Sequence, residues 1–522
     1  MARTTSALAL AVLLGLPLFG RAAEPVSREA LALQDAFQEA IRRAEPSIAC
    51  ILVSRSDIYR RWFRQTPPPD YPGRLGDFSP NATANIPLNP EDTREKNEYL
   101  KLLERRIRPN NPFQRQHGLE RELAILFDLA DPNNVPDSYG SGVVLNDRGM
   151  ILTNYHVVRD AAKVYVRLPG KQGSYADIYA ADPRSDLAVL QLLRPGLRPP
   201  ALQLGDGGQL RKGQLVLSLA NPFAAGFQDG SPSASWGIIS NLRRRTLPPA
   251  SLEQERNRYQ LQHMATLVQT DARLNLGCSG GALLNLQGEW VGLTTALAAI
   301  TGSETAGGFA LPLDAPIRQI IAVLERGEDV AYGFLGVGLG PGNELRRNDS
   351  IKVSHVVPGS AAQRAGLEQF DIILSVNGRP IRETDDLFLN LGICLAGSDA
   401  QLEIKKSTGV RRSLKVTLDK FYVPMQGIVS SKPPFVRGMR VDYTSVLQQR
   451  DKLQECPPGV YVCEIEPGSP SERARLHEAI ITQVNGQPVH NPAEFYRRTS
   501  TLTGPLELTV TDHHQPRTVK LD

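Results

Sequence analysis

The sequence predicts a mainly β fold, in which short strands close into a sandwich or barrel and two copies of a small α+β module follow. Three observations predict it. Between Ser138 and about Leu313, apolar runs of strand length alternate with turns rich in Gly, Pro, Asn and Asp, the pattern of an all-β domain. Two later blocks, over about 333–418 and 437–521, share a Pro-Gly-Ser turn (358–360, 467–469) and a Val-Asn-Gly turn (376–378, 484–486), each followed by a helical stretch. The 522 residues also exceed one core, and a prior of about 100 to 200 residues per domain suggests three or four.

The elements follow in order. Arg3, an apolar run from Ala7 to Phe19, and small residues at Gly20, Ala22 and Ala23 read as a secretory signal peptide over 1–22. That run is shorter than the roughly 20 residues of a bilayer span, so an uncleaved anchor is the lesser alternative. Leu31, Ala32, Phe37, Ala40 and Ile41 fall at helical spacing before Pro46, giving an amphipathic helix over 28–45, and "SIACILVS" reads as a buried strand with Cys50 as a small core residue. Between Arg55 and Asp137, eleven prolines interrupt two charged helical stretches, which marks an insertion. "NATA" at 81 matches a glycosylation acceptor only weakly.

The strand candidates are "SGVVLNDRGMILTN", "AKVYVRL", "DLAVLQL", "QLVLSLA", "SWGIISNL", "TLVQTDA", "GALLN", "EWVGLTTALA" and "GGFALPL". The stretch "FYVPMQGIVSSKPPF" between the two modules reads as linker.

Composition excludes some classes. The chain is 41% hydrophobic and 22% charged with a formal charge of +4, so nucleic acid is not an implied partner. Removal of residues 1–22 takes two basic residues and no acids, leaving 57 basic against 55 acidic side chains. Five cysteines (50, 278, 394, 456, 463) are too few for a disulfide scaffold and cannot all pair. Cys456 and Cys463 are close enough in sequence to close a hairpin disulfide, though spacing does not establish one.

The stretch "NLGCSGGALL" (275–284) sets one serine among glycines. A serine hydroxyl is a weak nucleophile, so Ser279 needs a base, an orienting carboxylate and oxyanion donors. Of eight histidines, those at 355, 477, 490, 513 and 514 fall in the repeated modules. His117 lies in the proline-rich insertion and reads as a solvated loop residue, and His263 reads as a strand-edge residue. His156, at the end of "GMILTNYHVV", is the candidate base. Asp186, in "DPRSDLAVL", opens an apolar strand and fits the buried acceptor such a base requires, although aspartate there is also a common turn residue. The N–H groups of Gly277 and Ser279 fit an oxyanion hole. Cys278 is the weaker nucleophile candidate, since neighbouring residues rarely point the same way; space filling or redox sensitivity is its main reading.

"TNYHVV", "SDLAVL", "NPF", "QTDARLNLGCSGGALLN" and "GGFALPL", followed by two PDZ-like modules with "GFLGV" opening the first, resemble the HtrA (Deg) family of exported trypsin-like serine proteases. The resemblance covers about 138–521 and the leading helix and strand. It implies a chymotrypsin-like double β-barrel over 23–325 with the insertion at about 55–137, then PDZ modules over 333–420 and 435–522. His156 is implied as general base, Asp186 as orienting acid, Ser279 as nucleophile, and the N–H groups of Gly277 and Ser279 as the oxyanion hole.

The chain departs from the family at Leu276, Cys278 and Ala282, where proline, asparagine and often proline are usual, and at Ala220, where glycine precedes "NPF". Because Leu276 and Cys278 flank Gly277, a flexible or flipped turn at rest is the alternative to a formed one. The resemblance implies a primary pocket from Leu274 and the 297–308 loop, including Leu297 and Gly308, with preference for small or medium aliphatic residues. The alternative is plain packing of the second barrel.

In the first module, Gly333, Phe334, Leu335 and Gly336 offer N–H groups to a peptide C-terminal carboxylate while the peptide adds as a strand. Gly438, Met439, Arg440 and Val441 occupy the equivalent place in the second, where packing or assembly is the alternative. The long charged loop 241–260 fits a switch or a solvated surface. The resemblance implies unfolded or misfolded envelope proteins as substrates, a periplasmic location and a homotrimer, with no metal or organic cofactor. The rival class is a peptide-binding scaffold or chaperone with an inactive protease fold.

Overall fold

The computed structural model describes residues 27–55, 128–131, 136, 138–244, 266–295, 308–339 and 351–522, apart from 383, 425, 426, 454, 455, 503, 513 and 514. The expected signal peptide, most of the 55–137 insertion with His117, the greater part of the 241–260 loop, His263 and Leu297 lie outside the described residues. No described helix is long and apolar enough to cross a membrane.

Helix α1 (Arg28–Ala44) begins at Ser27, whose hydroxyl accepts from the Ala30 N–H, and carries Arg42 and Arg43 in its last turn, matching the two ends of the helix dipole. Its apolar stripe of Phe37, Ala40, Ile41 and Ala44 packs on the central core, which fixes the chain's entry into the first strand.

Strands β1 (Ile48–Ser54), β2 (Ser138–Val144), β3 (Met150–Asn154), β4 (Lys163–Leu168), β5 (Gln172–Asp182) and β6 (Leu187–Leu192) close into a barrel in the order β1-β2-β3-β6-β5-β4. Strands β7 (Leu215–Ala220), β8 (Ser233–Arg244), β9 (Leu267–Thr270), β10 (Ala282–Leu284), β11 (Trp290–Thr295) and β12 (Gly308–Pro312) close into a second, in the order β10-β11-β12-β9-β8-β7. Closure leaves no unpaired strand edge on either barrel. A shared core joins them: Val143, Leu152 and Val189 of the first meet Leu217, Leu293 and Leu311 of the second in one buried cluster.

Every strand candidate read from the sequence in this region becomes a strand, but β5 was not among them. Its sequence, "QGSYADIYAAD", is small and polar, and a bulge between Ile178 and Ala180 breaks its alternation. Helix α2 (Tyr155–Val158) follows β3. Helix α3 (Ala315–Glu325) leaves the second barrel and packs back on β5 and β6 of the first. Its signals were legible: Asp314 caps the Ile317 N–H, Pro316 sits in the first turn, and Ile317, Ile320, Ile321 and Leu324 are buried.

The first module has β14 (Val337–Leu339), β15 (Ile351–Val356), β16 (Ile372–Val376), β18 (Asp399–Lys405) and β19 (Arg411–Thr417) in that order, with β17 (Arg379–Pro380) beside β16. Helices α4 (Ala361–Arg364) and α5 (Thr384–Gly392) accompany them, and β13 (Gly333–Phe334) pairs with β20 (Asp419–Lys420). The same order recurs in β21 (Met439–Tyr443), β22 (Val460–Ile465), β23 (Ile480–Val484), β25 (Leu506–Asp512) and β26 (Gln515–Leu521), with β24 (Gln487–Pro488) beside β23. Here α6 (Thr444–Asp451) lies between β21 and β22, while α7 (Pro470–Arg473) and α8 (Pro492–Thr499) match α4 and α5. Each sheet encloses its own apolar cluster.

One reading is extended and one open question is answered. The 421–435 stretch is a strap as well as a linker: Ile428 and Ala181 exchange backbone hydrogen bonds of 2.8 and 2.9 Å, and the Ser430 and Ser431 N–H groups donate to the Gly327 carbonyl. Cys456 is buried and Cys463 exposed, and both are free thiols rather than a hairpin disulfide. Cys50 is buried in the core as expected, and burial pushes its thiol up to about 12.

Candidate active site

Helix α2 and the turn before β6 bring His156 and Asp186 of the first barrel together. Asp186 opens β6 in a left-handed conformation, φ 58°, which aspartate tolerates better than most residues. It is 1% exposed, so its carboxylate requires donors. They are the His156 N–H on Oδ1 at 2.9 Å, the Asn154 amide on Oδ2 at 3.2 Å and His156 Nδ1 on Oδ2 at 2.7 Å. With Nδ1–H donating to Asp186, the neutral imidazole keeps Nε2 free to accept a proton. The His156 side chain remains 21% exposed, against 2% for Asp186. The arrangement therefore suits a base with one end braced and the other open to a reactant.

Ser279 stands in the turn before β10. Its carbonyl accepts from the Ser141 N–H at 2.8 Å, and the Ser141 hydroxyl donates to the Gly277 carbonyl at 2.8 Å while accepting from the Asn221 N–H. Ser141 belongs to β2, so one side chain of the first barrel clasps the turn of the second. Gly140 closes the same seam: a Cβ there would lie 2.6 Å from Val157, beside His156 on α2, and 3.3 Å from the Ser279 carbonyl.

The carbonyls from Leu276 to Ser279 are all engaged. Leu276 accepts from the Phe223 N–H at 2.7 Å, and Cys278 accepts from the Thr294 hydroxyl at 2.6 Å and the Gly281 N–H at 3.0 Å. The C=O and N–H of one trans peptide point in opposite directions, so these bonds aim the N–H groups of Gly277 and Ser279 away from the protein partners of their carbonyls. Gly277 has φ 95°, and a Cβ on it would meet the Asn221 carbonyl at 2.5 Å. Only glycine fits. Leu276 and Cys278 are accommodated differently: Leu276 is exposed, whereas Cys278 is buried with its sulfur accepting from the Asn275 N–H at 3.4 Å. Burial pushes the Cys278 thiol up to about 11, so it is not a thiolate at neutral pH and the weaker nucleophile reading loses its basis.

Of the residues expected to form the pocket, Leu274 lies against Gly308, its Cβ 2.9 Å from where a Gly308 Cβ would be. Behind the turn is a separate cavity of about 390 Å³, lined by Ala220, Pro222, Trp236, Asp271, Asn275 and Cys278 among others. Sequence reasoning passed over Ser141, Asn154, Asn221 and Thr294. Asn154 had a signal, its place in "TNYH", whereas Ser141 is an ordinary strand serine whose partner lies 136 residues away.

The first and second modules present different edges. In the first, β14 ends the sheet and follows Gly333–Gly336 directly; the Gly333 N–H is already bonded to the Cys394 carbonyl at 2.7 Å. Gly336, at φ 83°, packs on Ser360. Phe388 of α5 is 47% exposed beside this module. In the second, Tyr496 stands at the same offset from the Val-Asn-Gly turn, and its hydroxyl accepts from the Val441 N–H of β21 at 3.3 Å.

Residues 140–293 match the trypsin-like peptidase domain family and residues 325–416 the PDZ domain family. A probable periplasmic serine endoprotease DegP-like of Ectopseudomonas mendocina is 31% identical over 372 residues, covering 69% of this chain and 73% of the relative. The chain belongs to the DegP-like serine endoproteases. Another DegP-like relative, of Pseudomonas putida, is 30% identical over 70% of the chain and 74% of its own length. The periplasmic pH-dependent serine endoprotease DegQ of Escherichia coli is likewise 30% identical, over 70% and 77%. A solved HtrA-type protease, AlgW with a tripeptide, aligns over 73% of this DegP-like chain and 96% of its own at 22% identity and a TM-score of 0.45.

Proposed function

We propose that this chain is a periplasmic serine endopeptidase that cleaves unfolded or misfolded envelope proteins through an acyl-enzyme. Ser279 Oγ attacks the scissile carbonyl while His156 Nε2 takes its proton. Asp186 holds Nδ1–H and stabilises the imidazolium that results. The Gly277 and Ser279 N–H groups receive the oxyanion. Collapse of the tetrahedral intermediate breaks the C–N bond, His156 returns the proton to the leaving amine, and water repeats the sequence on the ester. The observation that carries this reading is the 2.7 Å contact between His156 Nδ1 and a buried Asp186 carboxylate, at the seam where Ser141 holds the serine turn.

Among the described residues no strand pairs with the outer edge of β14, which supports capture of a peptide C-terminus at the first PDZ module, with the turn 334–336 facing the carboxylate, since the Gly333 N–H is taken by Cys394. The recurring strand order supports a second module of PDZ type over 435–522, after a protease domain over 23–325 and a first module over 333–420. A homotrimer is the proposed unit. Exposed Leu31, Leu33 and Trp236, the last packed against Phe37 at 5.8 Å, support self-association on the α1 face.

A fluorophosphonate probe tests the chemistry. The resting enzyme is labelled at Ser279, and Ser279→Ala abolishes both labelling and casein digestion while an unfolded client still binds. Digestion by Ser279→Ala refutes the nucleophile. A wild-type chain that binds clients but takes no label is a scaffold instead.

A further inference from the structure

We propose that Tyr332 is a positioning residue for Asp186: its hydroxyl, delivered from the segment entering the first PDZ module, helps shape the turn on which that aspartate stands. The inference rests on the triad proposed above. It begins with Asp182, where β5 ends. Asp182 is 7% exposed, and its two oxygens organise the residues leading to Asp186. Oδ1 accepts from the Arg184 N–H at 3.2 Å, while Oδ2 accepts from the Ser185 N–H at 2.9 Å and the Ser185 hydroxyl at 2.6 Å. These three donors come from the turn itself. The fourth is the hydroxyl of Tyr332, 150 residues downstream and itself fully buried.

Burial pushes the Asp182 carboxyl up from its ordinary range, and the bonds from Ser185, Tyr332 and Arg184 oppose that shift. A buried carboxylate that loses a donor must protonate or rearrange. The turn has little freedom to rearrange without moving Asp186, which holds a left-handed backbone that its surroundings must maintain.

Other contacts hold the turn from the same side. The buried Arg184 guanidinium stacks on Tyr332 at 4.6 Å and on Phe421 at 4.8 Å, and reaches the Gly392 carbonyl at the end of α5 at 3.4 Å. Among the described residues, its Nε and Nη1 have no hydrogen-bond partner, so the two ring faces and the charge of the neighbouring Asp182 carboxylate stabilise it. The Ile428 strap bonds to Ala181, immediately before Asp182. The seating of the first module and the placing of Asp186 are therefore joined through one short turn.

Tyr332→Phe tests this, because it keeps the ring against Arg184 and removes only the hydroxyl. The expected result is a kcat lower by roughly tenfold on a short internal peptide, with KM unchanged. The acid limb of kcat/KM moves to lower pH, since a displaced Asp186 stabilises the His156 imidazolium less. The other groups facing this pair are Asn154, Tyr155 and Arg55, whose guanidinium bonds the His156 and Val157 carbonyls; the variant leaves them in place. NMR titration of His156 in the Ser279→Ala background reads the same shift without turnover, so it judges Tyr332 even if the chain proves to be a scaffold. An unchanged His156 titration in Tyr332→Phe overturns the proposal. If that variant does not fold, Ser185→Ala removes another donor to the same oxygen, and an unmoved His156 titration there equally overturns it.

Discussion

The two barrels have the same strand count and closure, yet they equip the site in different ways. The first contributes side chains: Asp186, His156 and Asn154 form a network in which each polar atom's chemical identity matters. The second contributes Ser279 on a backbone shape, a glycine at φ 95° with its neighbours' carbonyls tied down by Phe223, Thr294 and Ser141. Chemical identity resides in one half and conformation in the other, so damage to each half should leave a different kinetic signature.

The largest expected effect is in the first half. Asp186→Asn leaves the packing intact but favours the wrong imidazole tautomer, and kcat should fall about 10⁴-fold with little change in thermal stability. In the second half, Gly277→Ala forces a Cβ to within 2.5 Å of the Asn221 carbonyl. It should cost about 10² to 10³ in kcat as one oxyanion donor is lost. Fluorophosphonate labelling of Ser279 should slow in parallel, and wild-type labelling rates in Gly277→Ala would mean that backbone shape is not what the second barrel contributes.

Ser141→Ala strips the clasp between the halves, leaving the Gly277 carbonyl and Asn221 N–H short of a buried partner. A loss of about 1–3 kcal/mol in denaturant stability is expected, together with reduced kcat. The smallest effect is at Cys278. With its thiol at about 11 through burial, less than about one part in a hundred is thiolate at pH 8. Alkylating reagents should leave it unmodified in the native enzyme and react only after unfolding, which peptide mass mapping can read.

The same division explains what could be read in advance. The pairing of His156 with Asp186 was legible from their residue types and flanking motifs, the same kind of signal on which the proposal for Ser279 rests, and most strands were legible from apolar alternation. β5 was not, because its alternation is broken by a bulge and diluted by Gly, Ser and Ala. Helix α3 carried an Asp cap and a helical apolar period, so it was readable and was overlooked. Ser141 and the Asp182–Tyr332 pair belong to a different class, since their partners lie 136 and 150 residues away and nothing local marks them. The 421–435 stretch was legible as a linker but not as a strap, because its prolines and glycine describe an irregular backbone without saying what it rests on.

Tyr496 has a consequence for multivalency. Where a client strand would bond on the second sheet, a phenol already occupies the Val441 amide, so docking there requires eviction first. Two linked receptors normally multiply their grip on one long client, but that gain requires both to be vacant. With one berth filled from within, tethering of an extended polypeptide should scale with a single affinity, and Tyr496→Phe is the change that would convert it to bivalent avidity.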